Sequence, residues 1–298
     1  MKIVIAGGSG FLGQPLVRKL IDRGDEVVVL SRDPAKVKTG RGVAWDGKTA
    51  GEWTREIDVA DAVINLAGEN IGERRWTEDR KRRLVSSRLD ATNAIAGALV
   101  KAPPRKRTLI NASAVGYYGF DRDAEADENA PKGTGFLADL TEKWESAARA
   151  AERAARLVIL RFGVVLASGG GALEKMKLPF RFGAGGPVGD GYQWMSWVDR
   201  DDLLRAILWA LDNQNVRDVY NITSPQPVQQ REFAKTLGRV MHRPAILPAP
   251  SFALRLALGQ MADEVLLGGQ RAVPRRTLHE GFVFGYPDIE AALRHAQR

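Results

Sequence analysis

A glycine-rich turn near the start of the chain has the spacing of an anion-binding loop. The segment Gly7–Gly13 reads Gly-Gly-Ser-Gly-Phe-Leu-Gly, so glycines stand at positions 7, 8, 10 and 13. Glycine lets the backbone adopt positive φ and lie close to a diphosphate. Free N–H groups at the start of a following helix would then face the anion. The pattern predicts a dinucleotide-binding turn, and a glycine turn without a ligand is the alternative.

The residues on either side of this turn predict the strand and the helix that such a loop requires. The apolar run Ile3–Ala6 predicts a buried strand, and helical spacing of apolar residues follows the turn at Leu12, Leu16, Leu20 and Ile21. In this context the turn is predicted to hold a dinucleotide cofactor. Its predicted contacts with that cofactor are Gly7, Gly10, Phe11, Leu12 and Gly13.

The end of the second predicted strand indicates which dinucleotide is bound. The apolar run Glu26–Leu30 is followed by Ser31, Arg32, Asp33 and then Pro34. At this position an acidic residue bonds the ribose 2′-hydroxyl of NAD, whereas an arginine accepts the 2′-phosphate of NADP. Because Ser31 and Arg32 come before the acidic residue, we predict contacts from both and NADP(H) in preference to NAD(H). The alternative for Arg32 is an ordinary surface charge.

Strands and helices alternate along the chain, which predicts an α/β fold with a doubly wound parallel sheet. Further strands are predicted at 42–45, 62–68, 108–112, 157–166 and 219–222, and helices at 77–100, 136–155 and 201–211. Residues 48–58 are predicted as loop or short helix, and the acidic residues 121–130 as loop. The strand over 62–68 ends in small residues, and its predicted cofactor contacts are Leu66, Ala67 and Gly68.

A change in composition after Ala167 predicts a second, smaller domain. Residues 168–197 are rich in glycine and contain clustered aromatic residues, which suits a mobile wall over a pocket. We predict a Rossmann-type cofactor domain over 1–167, to which 198–224 return, and a C-terminal α+β substrate domain over 168–298. Trp194 and Trp197 are predicted to lie in the core.

Composition excludes several kinds of site. The chain of 298 residues has no cysteine and only three histidines, none paired at ligand spacing, so we expect no disulfide, thiolate chemistry or bound metal. No signal peptide or apolar run of membrane-spanning length is evident, and a cytoplasmic protein without a membrane partner is expected. The net charge of +8 and the cluster Arg80–Arg83 leave nucleic-acid binding as a disfavoured hypothesis.

Several motifs together resemble those of the extended short-chain dehydrogenase/reductases. The match is nearest to their atypical branch of nucleoside-diphosphate-sugar epimerases, an NAD-dependent epimerase/dehydratase-like group with its own C-terminal domain of unknown function. The motifs are the glycine turn, Asn65–Ile71, Ser113–Gly119, Gly189–Gly191 and the C-terminal residues 250–294. The resemblance covers nearly the whole chain and implies the Rossmann-type fold and a nicotinamide dinucleotide.

The resemblance also implies a catalytic set from which this chain departs. A typical member uses a tyrosine as acid/base, a lysine four residues later, and a serine or threonine after the fifth strand. Aligned on Glu145, the tyrosine position falls at Leu137 and the lysine position at Thr141. We predict Ser113 and Tyr117 as the catalytic residues, since a hydroxyl proton must leave as hydride moves.

Further polar and aromatic residues are expected near the predicted catalytic pair. Arg88, Lys143 and Glu145 are candidates to lie beside it, and Tyr118 is predicted to be a packing residue. Arg161, in the strand over 157–166, is included among the predicted cofactor contacts.

Residues that bind the sugar nucleotide in typical relatives are also replaced. Trp194–Ser196 stand where an arginine often binds the substrate diphosphate, and Asp199 stands where a histidine is common. The first hypothesis is an NADP(H)-dependent epimerase or oxidoreductase acting on an unknown small molecule. The second is a non-catalytic NADP(H)-binding redox sensor or partner-binding protein, and either would be a monomer or a homodimer.

Overall fold

The computed structural model of the protein describes residues 1–297, which form thirteen strands, eleven α-helices and three short 3₁₀ or π helices. The strands are β1 (Lys2–Ala6), β2 (Glu26–Ser31), β3 (Arg41–Ala44), β4 (Ala62–Asn65), β5 (Thr108–Ala114), β6 (Asp121–Ala126), β7 (Arg156–Phe162), β8 (Val164–Leu166), β9 (Trp194–Met195), β10 (Trp197–Asp199), β11 (Asp218–Ile222), β12 (Val228–Gln229) and β13 (Gly269–Ala272). The helices are α1 (Gly13–Asp22), α2 (Thr54–Val59), α3 (Glu78–Lys101), α4 (Phe136–Arg149), α5 (Gly171–Arg181), α6 (Arg200–Asp212), α7 (Gln230–Met241), α8 (Ser251–Leu258), α9 (Gln260–Ala262), α10 (Arg275–His279) and α11 (Ile289–His295).

Seven parallel strands form the central sheet in the order β3-β2-β1-β4-β5-β7-β11. The chain runs outward from β1 to β3 and then crosses back to β4 on the other side of β1. Ligands of such sheets bind in the crevice at the carboxyl ends of the strands where the order reverses. The predicted α/β fold with its doubly wound sheet is confirmed, and it places the glycine turn at this crevice.

Both faces of the sheet are buried, since helices cover each of them. Ile3 and Ile5 pack on one face in a cluster that includes residues of α1 and α6. Val4 and Ala6 pack on the other face with residues of α2, α3 and α4. Alternate residues of one strand therefore serve two separate cores, which explains its continuous apolar run.

Two predicted elements differ from the structure because their residues pair with strands that are distant in the sequence. The strand predicted over 157–166 breaks at Gly163, where a Cβ would lie 2.7 Å from the Ser196 carbonyl oxygen. Its second half, β8, leaves the main sheet and pairs with β10. The loop predicted over 121–130 is wrong in its first half, because β6 pairs with β13, about half the chain away.

The C-terminal part of the chain packs around its own apolar cluster, which is built from α5, α7, α11 and the short strands beside them. Trp197 is fully buried in this cluster, as predicted. Trp194 is only half-buried and has the Arg271 guanidinium 4.6 Å from its ring centroid. Within residues 1–297, none of the helices has the length and apolar character needed to cross a membrane.

Candidate functional site

The glycine turn is closed tightly between β1, the start of α1 and the chain after β4. Gly7 has φ of +79°, and a Cβ there would lie 2.8 Å from the Leu66 carbonyl. The Gly10 N–H donates to the Gly7 carbonyl at 3.0 Å, and a Cβ on Gly13 would lie 2.2 Å from that carbonyl oxygen. Helix α1 has no side-chain N-cap, its Gln14 N–H donates to the Gly10 carbonyl at 3.0 Å, and Pro15 has no N–H. The N–H groups that remain for an anion are therefore those of Phe11–Gly13.

The side chain of Phe11 joins this turn to the glycine-rich segment that begins α5. A Cβ on Gly170 or Gly171 would lie about 3 Å from the Phe11 ring, at 2.9 and 3.0 Å respectively. The Arg200 guanidinium lies 5.5 Å from the centroid of the same ring. The segment around Gly170 is thus one wall of the crevice beside the glycine turn.

At the end of β2, Arg32 is exposed to solvent, whereas the neighbouring Asp33 is engaged in an ion pair. The Asp33 carboxylate pairs with the Lys36 ammonium at 2.8 Å, and the Asp33 N–H donates to Ser31 Oγ at 3.2 Å. Arg32 is exposed, and no carboxylate of residues 1–297 lies within 4 Å of its guanidinium. A phosphate at this edge would therefore meet a free cation.

The end of β4 is held by a buried amide. Asn65 Nδ2 donates to Thr92 Oγ1 at 2.9 Å and to Asn111 Oδ1 at 2.7 Å. Asn65 Oδ1 accepts from the Ala67 N–H at 3.1 Å. One side chain thereby fixes how the chain leaves β4, where the sequence predicts cofactor contacts.

A buried cation lies directly beneath that segment. A Cβ on Gly68 would lie 3.1 Å from Arg88 Cζ, so a side chain at this position would press on the guanidinium. Arg88 donates to the carbonyls of Leu84 and Glu69, each at 3.0 Å. Burial, with the nearby Arg80 charge, lowers the pKa of Arg88 to about 10, so Arg88 stays charged at neutral pH.

A buried ion pair joins α4 to β7 at the carboxyl edge of β5. Glu145 accepts from Arg161 Nε and Nη2, each at 2.7 Å, and from Ser113 Oγ at 2.6 Å. Arg161 and Glu145 are only 3% and 5% exposed. Burial lowers the pKa of Arg161, but the hydrogen bonds and charge of Glu145 outweigh this effect and hold that pKa above its ordinary value.

The two adjacent tyrosines have different surroundings. Arg161 Nη1 donates to the Tyr118 hydroxyl at 2.9 Å, and this hydroxyl donates to Asn221 Oδ1 at 2.8 Å. Burial raises the pKa of Tyr118 to about 12, so it is a neutral, fully bonded phenol at pH 7. Tyr117 is half-buried, and its ring centroid lies 3.5 Å from Arg161 Cζ. Tyr117 is the phenol of this pair that a ligand can reach.

Helix α4 carries no tyrosine or lysine toward this cluster. Leu137 packs against Gly116, where a Cβ would lie 3.2 Å from the Leu137 Cβ. The buried Thr141 hydroxyl donates to the Leu137 carbonyl within its own helix. Lys143 is exposed on another face of the helix. The cation beside the tyrosines is therefore Arg161. The sequence analysis predicts this residue as a cofactor contact.

The N-terminus of α4 is capped from the far end of the chain. The Glu264 carboxylate accepts from the Phe136 N–H at 3.0 Å and from the Leu137 N–H at 2.9 Å. Replacing Glu264 by alanine is expected to lower the free energy of unfolding by about 1–2 kcal/mol, since two helix donors lose their acceptor. Urea unfolding checks this against Glu142→Ala, an exposed change on the same helix. Equal stability of the two variants would contradict the capping role.

Two family models match the chain. The model of the NAD-dependent epimerase/dehydratase family matches residues 3–223, and a domain of unknown function, DUF1731, matches residues 249–296. The first match spans the central sheet with the glycine turn, Arg32 and the Ser113–Arg161 cluster. The second covers the end of the chain, including the Glu264 cap.

Relatives of similar length are found in bacteria and animals. The chain is 42% identical to an epimerase family protein of Mycobacterium leprae, covering 99% of this chain and 95% of that protein. It is 39% identical to the human epimerase family protein SDR39U1, with 99% of each chain covered. The crystal structure of that human protein with NADPH superposes with a TM-score of 0.89, 37% identity and 99% coverage of both chains.

A further solved structure is similar over part of its length. It is a nucleoside-diphosphate sugar epimerase from Corynebacterium glutamicum, with a TM-score of 0.80 and 30% identity. The alignment covers 99% of this chain and 58% of that one.

Proposed function

Because the chain belongs to the NAD-dependent epimerase/dehydratase family, we propose that it binds NADP(H) and transfers hydride between this coenzyme and an unidentified small molecule. The observation that carries the proposal is the glycine turn, whose packing leaves no room for a Cβ at Gly7 or Gly13 beside an uncapped helix. The human relative solved with NADPH supports the choice of coenzyme.

The proposed coenzyme site extends along the carboxyl edge of the sheet from β2 to β4. Backbone N–H groups at the start of α1 hold the diphosphate, and the exposed Arg32 guanidinium holds the 2′-phosphate. Bound there, the coenzyme supplies or accepts hydride at its nicotinamide ring. The proposed contacts are Gly7, Gly10, Phe11, Leu12, Gly13, Ser31, Arg32, Leu66, Ala67 and Gly68.

The proposed acid/base is the Tyr117 phenol, which exchanges a proton with the substrate hydroxyl or carbonyl. The Arg161 guanidinium lies against its ring and supplies the positive charge that the lysine supplies in typical members. Ser113 contributes beside it by donating to Glu145, which holds Arg161 in place. Arg161 therefore positions the catalytic tyrosine, and a direct contact with the coenzyme stays a prediction.

The Tyr117→Phe variant tests the catalytic part of the proposal. A panel of aldehydes, ketones and sugar nucleotides is offered with NADPH, and oxidation is followed at 340 nm. For any substrate found, Tyr117→Phe is expected to lower kcat by about 10²–10⁴-fold, because it removes the proton donor. NADPH affinity should be unchanged, and the exposed Tyr192→Phe serves as the matched control.

A non-catalytic role is the second candidate, favoured by Leu137 and Thr141 at the positions of the family's tyrosine and lysine. In that case NADPH binds tightly, no compound of the panel is reduced, and the protein acts as a redox sensor or partner-binding module. Unchanged kcat in Tyr117→Phe would instead contradict the role of this phenol while leaving the coenzyme site intact.

We also propose that the chain divides near residue 167 into a part that binds the coenzyme and a part that binds the substrate. Residues 1–167, together with 198–224, form the coenzyme domain, since β11 within that returning segment completes the central sheet. Residues 168–298 supply the substrate side.

A further inference from the structure

An arginine beside the glycine turn has no counter-charge. Arg200 is the first residue of α6, and its half-buried guanidinium lies 5.5 Å from the centroid of the Phe11 ring. Phe11 belongs to the turn, and the N–H groups of Phe11–Gly13 are those that remain for an anion. The Phe11 ring therefore joins a positive charge of α6 to the edge of the proposed diphosphate site.

The three carboxylates next to Arg200 in the sequence all have other partners. The partners are His295 for Asp199, Lys19 for Asp201 and Arg205 for Asp202, at 2.9, 3.6 and 2.7 Å respectively. Among residues 1–297, no carboxylate lies within 4 Å of the Arg200 guanidinium. The charge of Arg200 is therefore not neutralised by an ion pair within the described chain.

The guanidinium of Arg200 also lacks hydrogen-bond acceptors. In the part of the chain that the structure describes, its one acceptor is the Ser168 carbonyl oxygen, 3.4 Å from Nη1. Its Nε is buried and has no acceptor there. A guanidinium carries five N–H donors, and a buried donor without an acceptor is destabilising. An anion beside the Phe11 ring would supply the acceptors that the protein does not.

The start of helix α5 adds positive potential at the same place. Helix α5 has no side-chain N-cap, and Glu174 in its first turn pairs with cations of its own helix. A Cβ on Gly170 or Gly171 would lie 2.9 or 3.0 Å from the Phe11 ring, so this helix end lies against the ring. The positive end of its macrodipole therefore lies near Arg200 as well.

We propose that Arg200 binds the diphosphate of the coenzyme together with the N–H groups of Phe11–Gly13. A guanidinium forms strong, charge-assisted hydrogen bonds with phosphate oxygens. The inference rests on the proposed function, because the anion is part of the coenzyme. Arg200 and Arg32 then have different roles. The 2′-phosphate that Arg32 contacts is present only in NADP(H), whereas the diphosphate that Arg200 contacts is common to NADP(H) and NAD(H).

Isothermal titration calorimetry of Arg200→Met with NADPH and with NADH tests this inference. Methionine removes the charge and keeps an apolar side chain against the Phe11 ring. We expect the Kd values for both coenzymes to rise by the same factor, about tenfold or more, because both lose a charge-assisted contact. Arg200→Lys keeps a positive charge but loses the planar fork of donors, so a smaller and again equal rise is expected.

The matched control is Arg205→Met, one turn further along α6. The Arg205 guanidinium also lies 5.5 Å from a phenylalanine ring, that of Phe282, but it donates to Asp202 and to the Val283 carbonyl. This variant therefore removes the same charge and the same type of ring contact away from the glycine turn. Its Kd values for both coenzymes should match those of the wild type.

Three results would overturn the role of Arg200 and leave the proposed function standing. They are unchanged Kd values in Arg200→Met, an equal loss in Arg205→Met, and a loss confined to NADPH, which would place Arg200 at the 2′-phosphate. If Arg200→Met does not fold, as judged by circular dichroism, unchanged Kd values in Arg200→Lys overturn the inference instead. A wild-type protein that binds neither coenzyme would contradict the proposed function itself, and this inference with it.

Discussion

Glu145→Ala is expected to lower the free energy of unfolding by about 3–5 kcal/mol, because it leaves the buried Arg161 guanidinium without its carboxylate. Arg161 is 3% exposed and gives two hydrogen bonds to Glu145. The alanine also removes the acceptor of the buried Ser113 hydroxyl. Urea unfolding followed by circular dichroism measures the change.

A double variant separates loss of the charge pair from loss of packing. In Glu145→Leu/Arg161→Met both charges are replaced by apolar groups, and stability is expected to return to within about 2 kcal/mol of the wild type. A Glu145→Ala protein within about 1 kcal/mol of the wild type would show that water or another group reaches Arg161. That result would contradict the positioning role assigned to the pair.

Arg32→Ala is expected to raise the Kd for NADPH by about 10- to 100-fold, because the variant loses one charge-assisted hydrogen bond to the 2′-phosphate. The Kd for NADH should be nearly unchanged, since NADH has no 2′-phosphate. The exposed Arg32 guanidinium has no carboxylate partner among residues 1–297, and Asp33 is drawn toward Lys36. Isothermal titration calorimetry with both coenzymes measures the change.

The control for this variant is Arg55→Ala. Arg55 is an exposed arginine on α2, which precedes the opposite, amino-terminal end of β4. Its replacement removes the same charge from the protein without touching the proposed phosphate site. An equal loss of NADPH affinity in both variants would indicate a general charge effect and contradict the role of Arg32.

Sequence patterns predict the central sheet well because its units are local. The glycine turn, the apolar strand before it and the helix after it lie within two dozen residues, and each carries its own periodicity. The helix predicted over 77–100 is α3, and its predicted start is confirmed by Thr77, whose side chain accepts from the Arg80 N–H. β6 was missed because its partner, β13, lies far along the chain and its own residues are acidic.

The candidate site was harder to predict, since its members come from distant segments. Ser113, Glu145 and Arg161 meet through three elements, and no spacing in the sequence shows that Glu145 is the shared acceptor. The sequence predicts Arg88 only as a neighbour of the catalytic pair, because its contact with Gly68 depends on how α3 packs against the chain after β4. The sequence signal that could have pointed to the pair is Arg161 itself, a charged residue within the apolar run Leu157–Leu166, because a buried arginine requires an acidic partner.

The most direct test of the central claim is a crystal structure of this protein grown with NADPH. We predict electron density for the diphosphate at the N–H groups of Phe11–Gly13, with the 2′-phosphate against the Arg32 guanidinium. An empty turn at saturating NADPH, or a coenzyme bound elsewhere on the protein, would contradict the proposed function.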